Sequence, residues 1–341
     1  MSGIEFVIRL LQKNNYFMDN LTKPYLDSHL LLHQLELRGM NCDEKLTMQW
    51  LNSVGYYRLS GYWYPYHSIF YENGKKCISE TFIDGANFSD VANLYEFDRK
   101  LRTLIHDGIE RIEVGLRVAL VEVLGAQNPL AYERPTYLRE NLSIDYKYAY
   151  WVKRAAGRVS RSFKYNQSLK HHLKKYKGIL PIWTLMEVLD FSDISQLFSN
   201  MKRRDQLKVA DLLNINFDIS NLSKSQRKKV IKVHPLAKWI RQLTIVRNTC
   251  AHHSRTWNRT FNPAPGKVFH SVPELRSLED QSESIYGALV MIAYLLKTLS
   301  PKGKWNKHVK DLIERDFEPI LGRTVAEMGF PDNWKQEPIW N

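Results

Sequence analysis

A long helical pattern runs through residues 94–123, which read LYEFDRKLRTLIHDGIERIEVGLRVALVEV. Its apolar side chains recur at steps of three and four residues: Leu94, Phe97, Leu101, Leu104, Ile105, Ile109, Ile112 and Leu116. This period places them on one face of an α-helix, where they can be buried. Glu113 and Arg117 are four residues apart, so they can pair elsewhere on the helix surface. The stretch therefore predicts a long amphipathic helix.

Similar apolar patterns on both sides of this stretch predict further helices, so we expect a mainly α-helical fold. One helix should cover residues 30–37 and end at Gly39, because glycine readily ends a helix. A second should cover residues 236–250. A third, apolar and buried, should cover residues 285–299 and end before Pro301.

Turn and aromatic signals complete this outline. Another helix should start at Pro181 and continue to residues 191–193. Asn73-Gly74 is a strong turn signal, so a short β-hairpin is expected within residues 69–88. The aromatic cluster of residues 54–66 is either core packing, which we favour, or a platform on which bases stack.

Three regions follow from these patterns. Residues 1–88 should form an N-terminal helical and aromatic region. Residues 89–300 should form a helical domain that carries a basic insertion near residues 145–235. Residues 301–341 should form a C-terminal tail whose aromatic side chains pack on the body of the protein.

Composition indicates a soluble protein that attracts polyanions. Of 341 residues, 44% are apolar, and 49 Lys and Arg against 36 acids give a formal net charge of +13. Nucleic acid is therefore the expected partner, although a merely basic protein has the same charge. Three scattered cysteines fit a reducing, cytoplasmic location. Glu5 and Arg9 interrupt the N-terminal apolar stretches, and the apolar run 287–296 is short, so we expect neither a signal peptide nor a membrane partner.

A second informative stretch is Arg247-Asn248-Thr249-Cys250-Ala251-His252-His253, at the end of a predicted helix. It combines a permanent cation, an amide and titratable imidazoles, which are the groups that metal-free RNA cleavage needs. Histidine suits the proton transfers because its pKa lies near neutrality, and such a group contributes about 10²–10⁴-fold. Arginine suits the phosphorane because its planar fork stays charged and binds two oxygens.

Helix geometry constrains this stretch further. Asn248 and His252 are four residues apart and share one face, so the amide could orient the imidazole. Arg247 points about 140° away from His252 on an ideal helix, so its charge needs a partner there. Either Glu110 or Glu113 neutralises it, or it lines a cleft or a subunit interface. One copy of the stretch supplies one strong histidine candidate. If the reaction needs two acid/base groups, the second would come from the other subunit of a homodimer.

Residues 150–178 form a basic and aromatic segment that contains no acidic residue. Cations that bind phosphates, interleaved with rings that stack on bases, are typical of a surface for single-stranded nucleic acid. A solvated basic helix with packing aromatics has the same composition. We predict these RNA contacts: Lys153, Arg154, Arg158, Arg161, Lys164, Lys174 and Lys175.

Other chemistries fit the Arg247–His253 stretch less well. Its Cys and His residues resemble metal ligands but lack a second CxxC or HxxxH half, so we expect no metal and no other cofactor. Cys250 has apolar neighbours that indicate a core position rather than a nucleophile. The Arg–His spacing alone is weak evidence, because Arg99 to His106 and Arg227 to His234 also fit it.

Four blocks carry a family resemblance: residues 52–66 with YYRLSGYWYP, residues 95–117, residues 181–195 with PIWTLMEVLDFSDIS, and residues 247–259 with RNTCAHHSRTWNR. With them the chain resembles, over roughly residues 20–335, the Abi abortive-infection proteins of the AbiD and AbiF type in the HEPN superfamily. The resemblance implies an all-helical HEPN core, bacterial anti-phage defence, and metal-independent ribonuclease activity at a homodimer interface.

The resemblance also implies roles for single residues. The family motif, Arg-polar-x₃-His, falls on Arg247, Asn248 and His252, and His253 gives the same motif one residue longer. The acidic helix position of the family falls on Glu110 or Glu113. Regulation by a non-coding RNA or by an antitoxin-like protein is a further expectation. The alternatives are a non-catalytic RNA-binding component of a defence ribonucleoprotein or toxin–antitoxin-like system, and a helical scaffold without RNA affinity.

Overall fold

The computed structural model describes residues 25–139, 146–215, 220, 222–232, 234–262, 272–278 and 282–341. The N-terminal stretch around Glu5 and Arg9 lies outside these residues. The fold is mainly α-helical, as predicted, and the strands of the described residues form one antiparallel hairpin. A search of the described helices finds none with the length and apolar character of a membrane span. The chain divides into two compact units, Met1–Tyr95 and Glu96–Asn341.

From Tyr25 onward, where the description of the first unit starts, the chain forms the helices α1 (Ser28–Leu37), α2 (Glu44–Ser53) and α3 (Tyr56–Trp63). The carboxylates of Asp27 and Asp43 accept backbone N–H bonds in the first turns of α1 and α2, at 2.9 and 2.7 Å. Such caps satisfy donors that the helix itself cannot pair. α1 ends just before Gly39, whose φ of 92° is left-handed. The helix predicted over residues 30–37 is therefore confirmed.

A β-hairpin follows, formed by β1 (His67–Glu72) and β2 (Lys75–Phe82). Its turn is Asn73-Gly74, with φ of 52° and 74°. Positive φ at both positions is what a two-residue hairpin turn requires, so the predicted hairpin is confirmed. Of the aromatic cluster, three rings lie in the core: Tyr62, Trp63 and Tyr66. Tyr57, by contrast, is 85% exposed.

The long helix α4 (Phe88–Gly125) confirms the pattern of residues 94–123 and extends it at both ends. Its predicted apolar face is buried except for the half-buried Leu104. In the second unit α4 packs against α12 (Ile285–Leu299). A Cβ atom at Gly108 would lie 2.5 Å from Cγ2 of Ile292 and 2.9 Å from the ring of Trp305. Glycine is therefore required at Gly108, because the two helices approach too closely for a side chain.

The described residues of the second unit form further helices. They are α5 (Tyr146–Phe163), α6 (Gln167–Lys175), α7 (Ile182–Leu185), α8 (Phe191–Asn200), α9 (Arg203–Leu212), α10 (Lys224–Lys232), α11 (Leu236–Ala251) and α13 (Trp305–Leu312). α11 packs against both α8 and α12, and α5 packs against α8. The helices predicted over residues 236–250 and 285–299 are confirmed.

One predicted helix is wrong in its extent. The helix expected from Pro181 to residues 191–193 ends at Leu185, and a separate helix, α8, begins at Phe191. The reason is a capping box, in which the side chains of Asp190 and Asp193 each accept the other's backbone N–H. These carboxylates start a new helix, because they satisfy its unpaired first donors.

The C-terminal segment packs by means of its aromatic side chains. Trp305, Phe317, Phe330 and Trp334 are all buried. The Phe317 ring centroid lies 4.8 Å from that of Phe97 on α4, and Phe330 lies 4.5 Å from Tyr286 on α12. Burial of large rings is strongly stabilising, so this segment is an integral part of the second unit.

Candidate active site

Arg247 reaches the surface from an otherwise buried part of α11. Trp239, Leu243, Val246 and Cys250 anchor this helix in the core. Arg247 follows one residue after Val246, and its side chain is 29% exposed. Because α11 is anchored in the core, the backbone of Arg247 is held in place, and its guanidinium is still accessible to a ligand.

The partner of Arg247 is Glu113 on α4. Nη2 of Arg247 lies 3.7 Å from Oε2 of Glu113, whose side chain is only 14% exposed. Of the alternatives left open by the sequence, the structure shows the ion pair, with Glu113 as the acid, and Arg247 also lines a cleft. Glu110, the other candidate, lines the same cleft and is exposed to solvent.

A second guanidinium fixes the Glu113 carboxylate. Nη2 of Arg117 donates to Oε1 of Glu113 at 2.5 Å and to the carbonyl of Leu189 at 2.8 Å. Its Nη1 donates to the carbonyl of Met186. Arg117 thus satisfies backbone carbonyls in the break between α7 and α8, and it holds Glu113 where Arg247 meets it. Charge-assisted bonds of this kind are among the stronger ones in proteins.

The side chain of Asn248 positions the guanidinium of Arg247. Nη1 of Arg247 donates to Oδ1 of Asn248 at 3.1 Å. The backbone carbonyl of Asn248 accepts the N–H of His252 at 3.0 Å, which closes the last turn of α11. The orientation of the His252 ring by this amide remains a prediction, whereas the contact with Arg247 is present.

The two histidines stand on an exposed turn. α11 ends at Ala251, His252 caps it, and His253 takes a left-handed φ of 54°. The chain beyond is bound to α4, because the buried carboxylate of Asp98 accepts the N–H groups of Thr256 and Trp257 at 3.1 and 2.9 Å. The turn that carries the imidazoles is therefore fixed on both sides.

The charged side chains of α4 and α11 line an open cleft. It is lined by His106, Glu110, Glu113 and Arg117 of α4, by Glu187, and by Arg247 of α11. Its volume of about 580 Å³ lies in the range of small-ligand sites, about 300–1,000 Å³. The structure thus brings Arg247, Glu113 and Glu110 together. His252 and His253 are outside the cleft lining, on the adjacent turn.

The sequence interpretation missed His106 as a member of this cleft. Burial and the positive charge of Arg247 lower the pKa of His106 below its ordinary value of 6.5, and the charge of His253 acts in the same direction. The backbone of Cys250, close to the ring, acts against this lowering of the pKa. The signal was present in the spacing, because His106, Glu110, Glu113 and Arg117 follow one face of α4.

Cys250 is a core residue, as predicted. Its side chain is buried, and burial raises the pKa of its thiol to about 12. A thiol needs a lowered pKa and an accessible position to act as a nucleophile. Neither condition holds for Cys250, so its place in the motif is structural.

The basic segment separates into two groups of cations. Arg154 and Arg158 bind the buried carboxylate of Asp193, at 2.6 and 2.8 Å, and thereby join α5 to the start of α8. Arg161, together with Tyr165, lines a second cleft that shares Glu187 with the first. The remaining predicted contacts are exposed to solvent: Lys153, Lys164, Lys174 and Lys175.

Comparison with known proteins shows the family to which the chain belongs. The family model described as Abi-like protein matches residues 49–258, which is more than half of the chain. The match includes α4, the break between α7 and α8, and all of α11 with its two histidines. No curated protein and no solved structure shows a significant match to the chain.

Proposed function

The chain belongs to the Abi-like protein family, and on that basis we propose that it is a metal-independent endoribonuclease of bacterial anti-phage defence with a HEPN-type site. The family supports a role in abortive infection. The nuclease activity, the HEPN relationship and the RNA substrate are our proposal. It depends on one observation, the Arg247 guanidinium held by Glu113 and Asn248 at the edge of an open cleft.

Arg247 has the donors that a phosphorane needs. A guanidinium carries five N–H donors, and among the described residues Arg247 uses them for one hydrogen bond, to Asn248, and one 3.7 Å ion pair. Arg117 lines the same cleft, but three bonds to protein oxygens engage it. Arg247 is therefore the cleft cation best suited to bind a charged phosphate oxygen.

The reaction needs only groups of the RNA and of this chain. The 2′-hydroxyl loses its proton and its oxygen attacks the adjacent phosphorus. The phosphorane collapses, the bond to the 5′-oxygen breaks, and that oxygen takes a proton. Arg247 stabilises the negative charge of the phosphorane. His252, or His253 beside it, transfers a proton, and Asn248 and Glu113 position the cation.

A homodimer is the second part of the proposal. Val114 and Val118 project from α4 beside the cleft with 54% and 58% of their surface exposed. Exposed apolar side chains next to a charged site are a surface that a partner can cover. A two-fold contact along this face of α4 would bring two copies of the Arg247 site together.

RNA binding without cleavage is the second candidate function, and the exposed cations of α5, α6 and the turn between them favour it. Arg161 and the exposed lysines can neutralise phosphates, and Tyr165 lies beside Lys164 with 78% of its surface exposed. Such a surface binds single strands whether or not the cleft cleaves them. A regulatory RNA would be bound in the same way.

The test is incubation of purified protein with mixed RNA in the presence of EDTA. We expect the wild-type protein to cleave RNA, and Arg247→Gln to cleave about 10²–10³-fold more slowly, as when one donor to an oxyanion is lost. The double variant His252→Ala/His253→Ala should be inactive. Arg241→Gln, an exposed site on the same helix, is the matched control.

Four outcomes are informative. Cleavage in EDTA that requires Arg247 and the histidines supports the proposal. Full activity in the Arg247 and double-histidine variants contradicts it, and so does complete inhibition by EDTA. Tight, salt-sensitive binding with intact RNA recovered after long incubation selects the non-catalytic candidate.

A further inference from the structure

His106 occupies a place in the cleft that the motif at residues 247–253 does not explain. It lies four residues before Glu110 and seven before Glu113, so all three share the face of α4 that lines the cleft. Arg247 of α11 lines the same cleft, and its positive charge acts on the imidazole. An imidazole therefore stands beside the cation that is proposed to bind the phosphorane.

We propose that His106 is the general base of the cleavage reaction, the group that accepts the proton of the attacking 2′-hydroxyl. The inference rests on the proposed nuclease function. It assigns a catalytic residue on α4, outside the Arg-x₄-His motif, and in the same chain as Arg247.

The environment of His106 suits a base. A general base must be neutral at the working pH, and it must have a lone pair that the substrate can reach. Burial and Arg247 lower the pKa of His106, which favours the neutral ring near pH 7. A neutral imidazole keeps one ring nitrogen as an acceptor, and His106 lines the open cleft, where a bound RNA can reach it.

The charged groups around His106 are consistent with this role. Glu110 and Glu113 share its face of α4, Glu187 lines the same cleft, and Arg247 and His253 act on it from the α11 side. Arg247 disfavours the imidazolium, whereas the nearby carboxylates keep the cleft from repelling a transient positive charge. The imidazole can therefore take up a proton during the reaction and release it afterwards.

The proton balance is complete within one protomer. His106 takes the proton of the 2′-hydroxyl as the 2′-oxygen bonds to phosphorus. His252 or His253, in its protonated form, gives a proton to the departing 5′-oxygen. The two imidazoles then exchange protons with water, and both groups regain their starting states. Two acid/base groups are thus supplied without a second copy of the chain.

The test compares His106→Gln and His106→Ala with the wild-type protein under single-turnover conditions, with protein in excess over a defined RNA in EDTA. We expect the cleavage rate constant to fall about 10²–10⁴-fold in both variants, while RNA affinity changes less than about threefold. His308→Gln, at an exposed position on α13, is the matched control. Thermal unfolding of each variant shows whether it is folded.

Two further readouts separate a base from a structural residue. In the wild-type protein the rate should rise with pH along a limb below pH 6.5, and this limb should be absent in His106→Gln. Imidazole added to the buffer should restore part of the activity of His106→Ala, because it can enter the vacated space.

A wild-type rate in folded His106→Gln, with the acidic limb of the pH profile unchanged, overturns the assignment while the nuclease function stands. Lack of cleavage by the wild-type protein itself is a different failure, because it overturns the proposed function together with this inference.

Discussion

Glu113 on α4 and Arg247 on α11 meet with 3.7 Å between Oε2 and Nη2. Arg117 donates a hydrogen bond to the same carboxylate, and its guanidinium is itself held by the backbone carbonyls of Met186 and Leu189. The position of the candidate catalytic cation is therefore set by the long helix and by the break between α7 and α8. Perturbing either element should affect the site without touching Arg247 itself.

Replacing Glu113 tests this arrangement directly. Glu113→Gln removes the charge that neutralises Arg247 and weakens its placement, so we expect RNA cleavage to slow at least about tenfold, equivalent to about 1.4 kcal/mol. Glu110 lines the same cleft but makes no ion pair with Arg247. Glu110→Gln should therefore slow cleavage clearly less than Glu113→Gln does. A larger loss of cleavage rate in Glu110→Gln would contradict the assignment of Glu113 as the partner.

The attachment of the histidine turn to α4 should dominate local stability. Asp98→Ala leaves the buried Arg102 and two backbone N–H groups without their shared carboxylate. We expect the free energy of unfolding in urea to fall by about 3–5 kcal/mol. Asp107→Ala breaks the half-exposed Asp107–Arg111 pair, four residues apart on the same helix, and should cost about 0–1 kcal/mol. Equal losses in the two variants would show that Asp98 is not the anchor.

Gly108 should tolerate no side chain, although alanine is the better helix former. The methyl group of Gly108→Ala would collide with Ile292 and with the Trp305 ring, whose Nε1 is bonded to the carbonyl of Leu104 at 2.7 Å. We expect a loss of about 1–3 kcal/mol in the free energy of unfolding. Gly157→Ala on α5 adds its methyl group to open space and should stabilise by about 0.4–1 kcal/mol. Stabilisation by both substitutions would rule out the close approach of α4 and α12.

The two groups of cations in the basic segment should respond differently to substitution. Arg161→Gln and Lys164→Gln should each weaken RNA binding and reduce the slope of log affinity against log salt by about 0.7. Arg158→Gln should instead lower the thermal unfolding midpoint, because it removes a partner of the buried Asp193. Lys302→Gln, an exposed site near α13, serves as the control for charge alone. A salt slope unchanged by Arg161→Gln would remove this surface from the RNA interface.

Periodicity and turn chemistry predicted much of this fold from sequence. The apolar steps of residues 94–123 identified α4, and Asn73-Gly74 identified the hairpin, because both signals depend on near neighbours alone. The break after Leu185 is absent from the sequence prediction, because a helix from Pro181 to residues 191–193 places Asp190 inside the helix and not at its start. Its role as a cap depends on Asp193, and the position of Asp193 depends on Arg154 and Arg158 of another helix.

The candidate site also depends on contacts between residues that are distant in the sequence. Glu110 and Glu113 are less than one helical turn apart, so ideal helix geometry could not choose between them. The bonds of Arg117 to distant carbonyls make that choice. The spacing of Arg99 and His106 fits the Arg–His motif, but the sequence places this pair within the long amphipathic helix and gives no sign that His106 belongs to the site. Its relation to Arg247 arises only when α4 and α11 pack together.

The most direct test of the central claim is the chemistry of the RNA ends that the protein produces in EDTA, determined by mass spectrometry. Attack by the 2′-hydroxyl, assisted by imidazole and Arg247, predicts a 2′,3′-cyclic phosphate, or the monophosphate derived from it, on one fragment and a 5′-hydroxyl on the other. An RNA with a single 2′-deoxy nucleotide at the cleavage position should stay intact. Products with 3′-hydroxyl and 5′-phosphate ends, or normal cleavage of the deoxy-substituted RNA, would contradict the account.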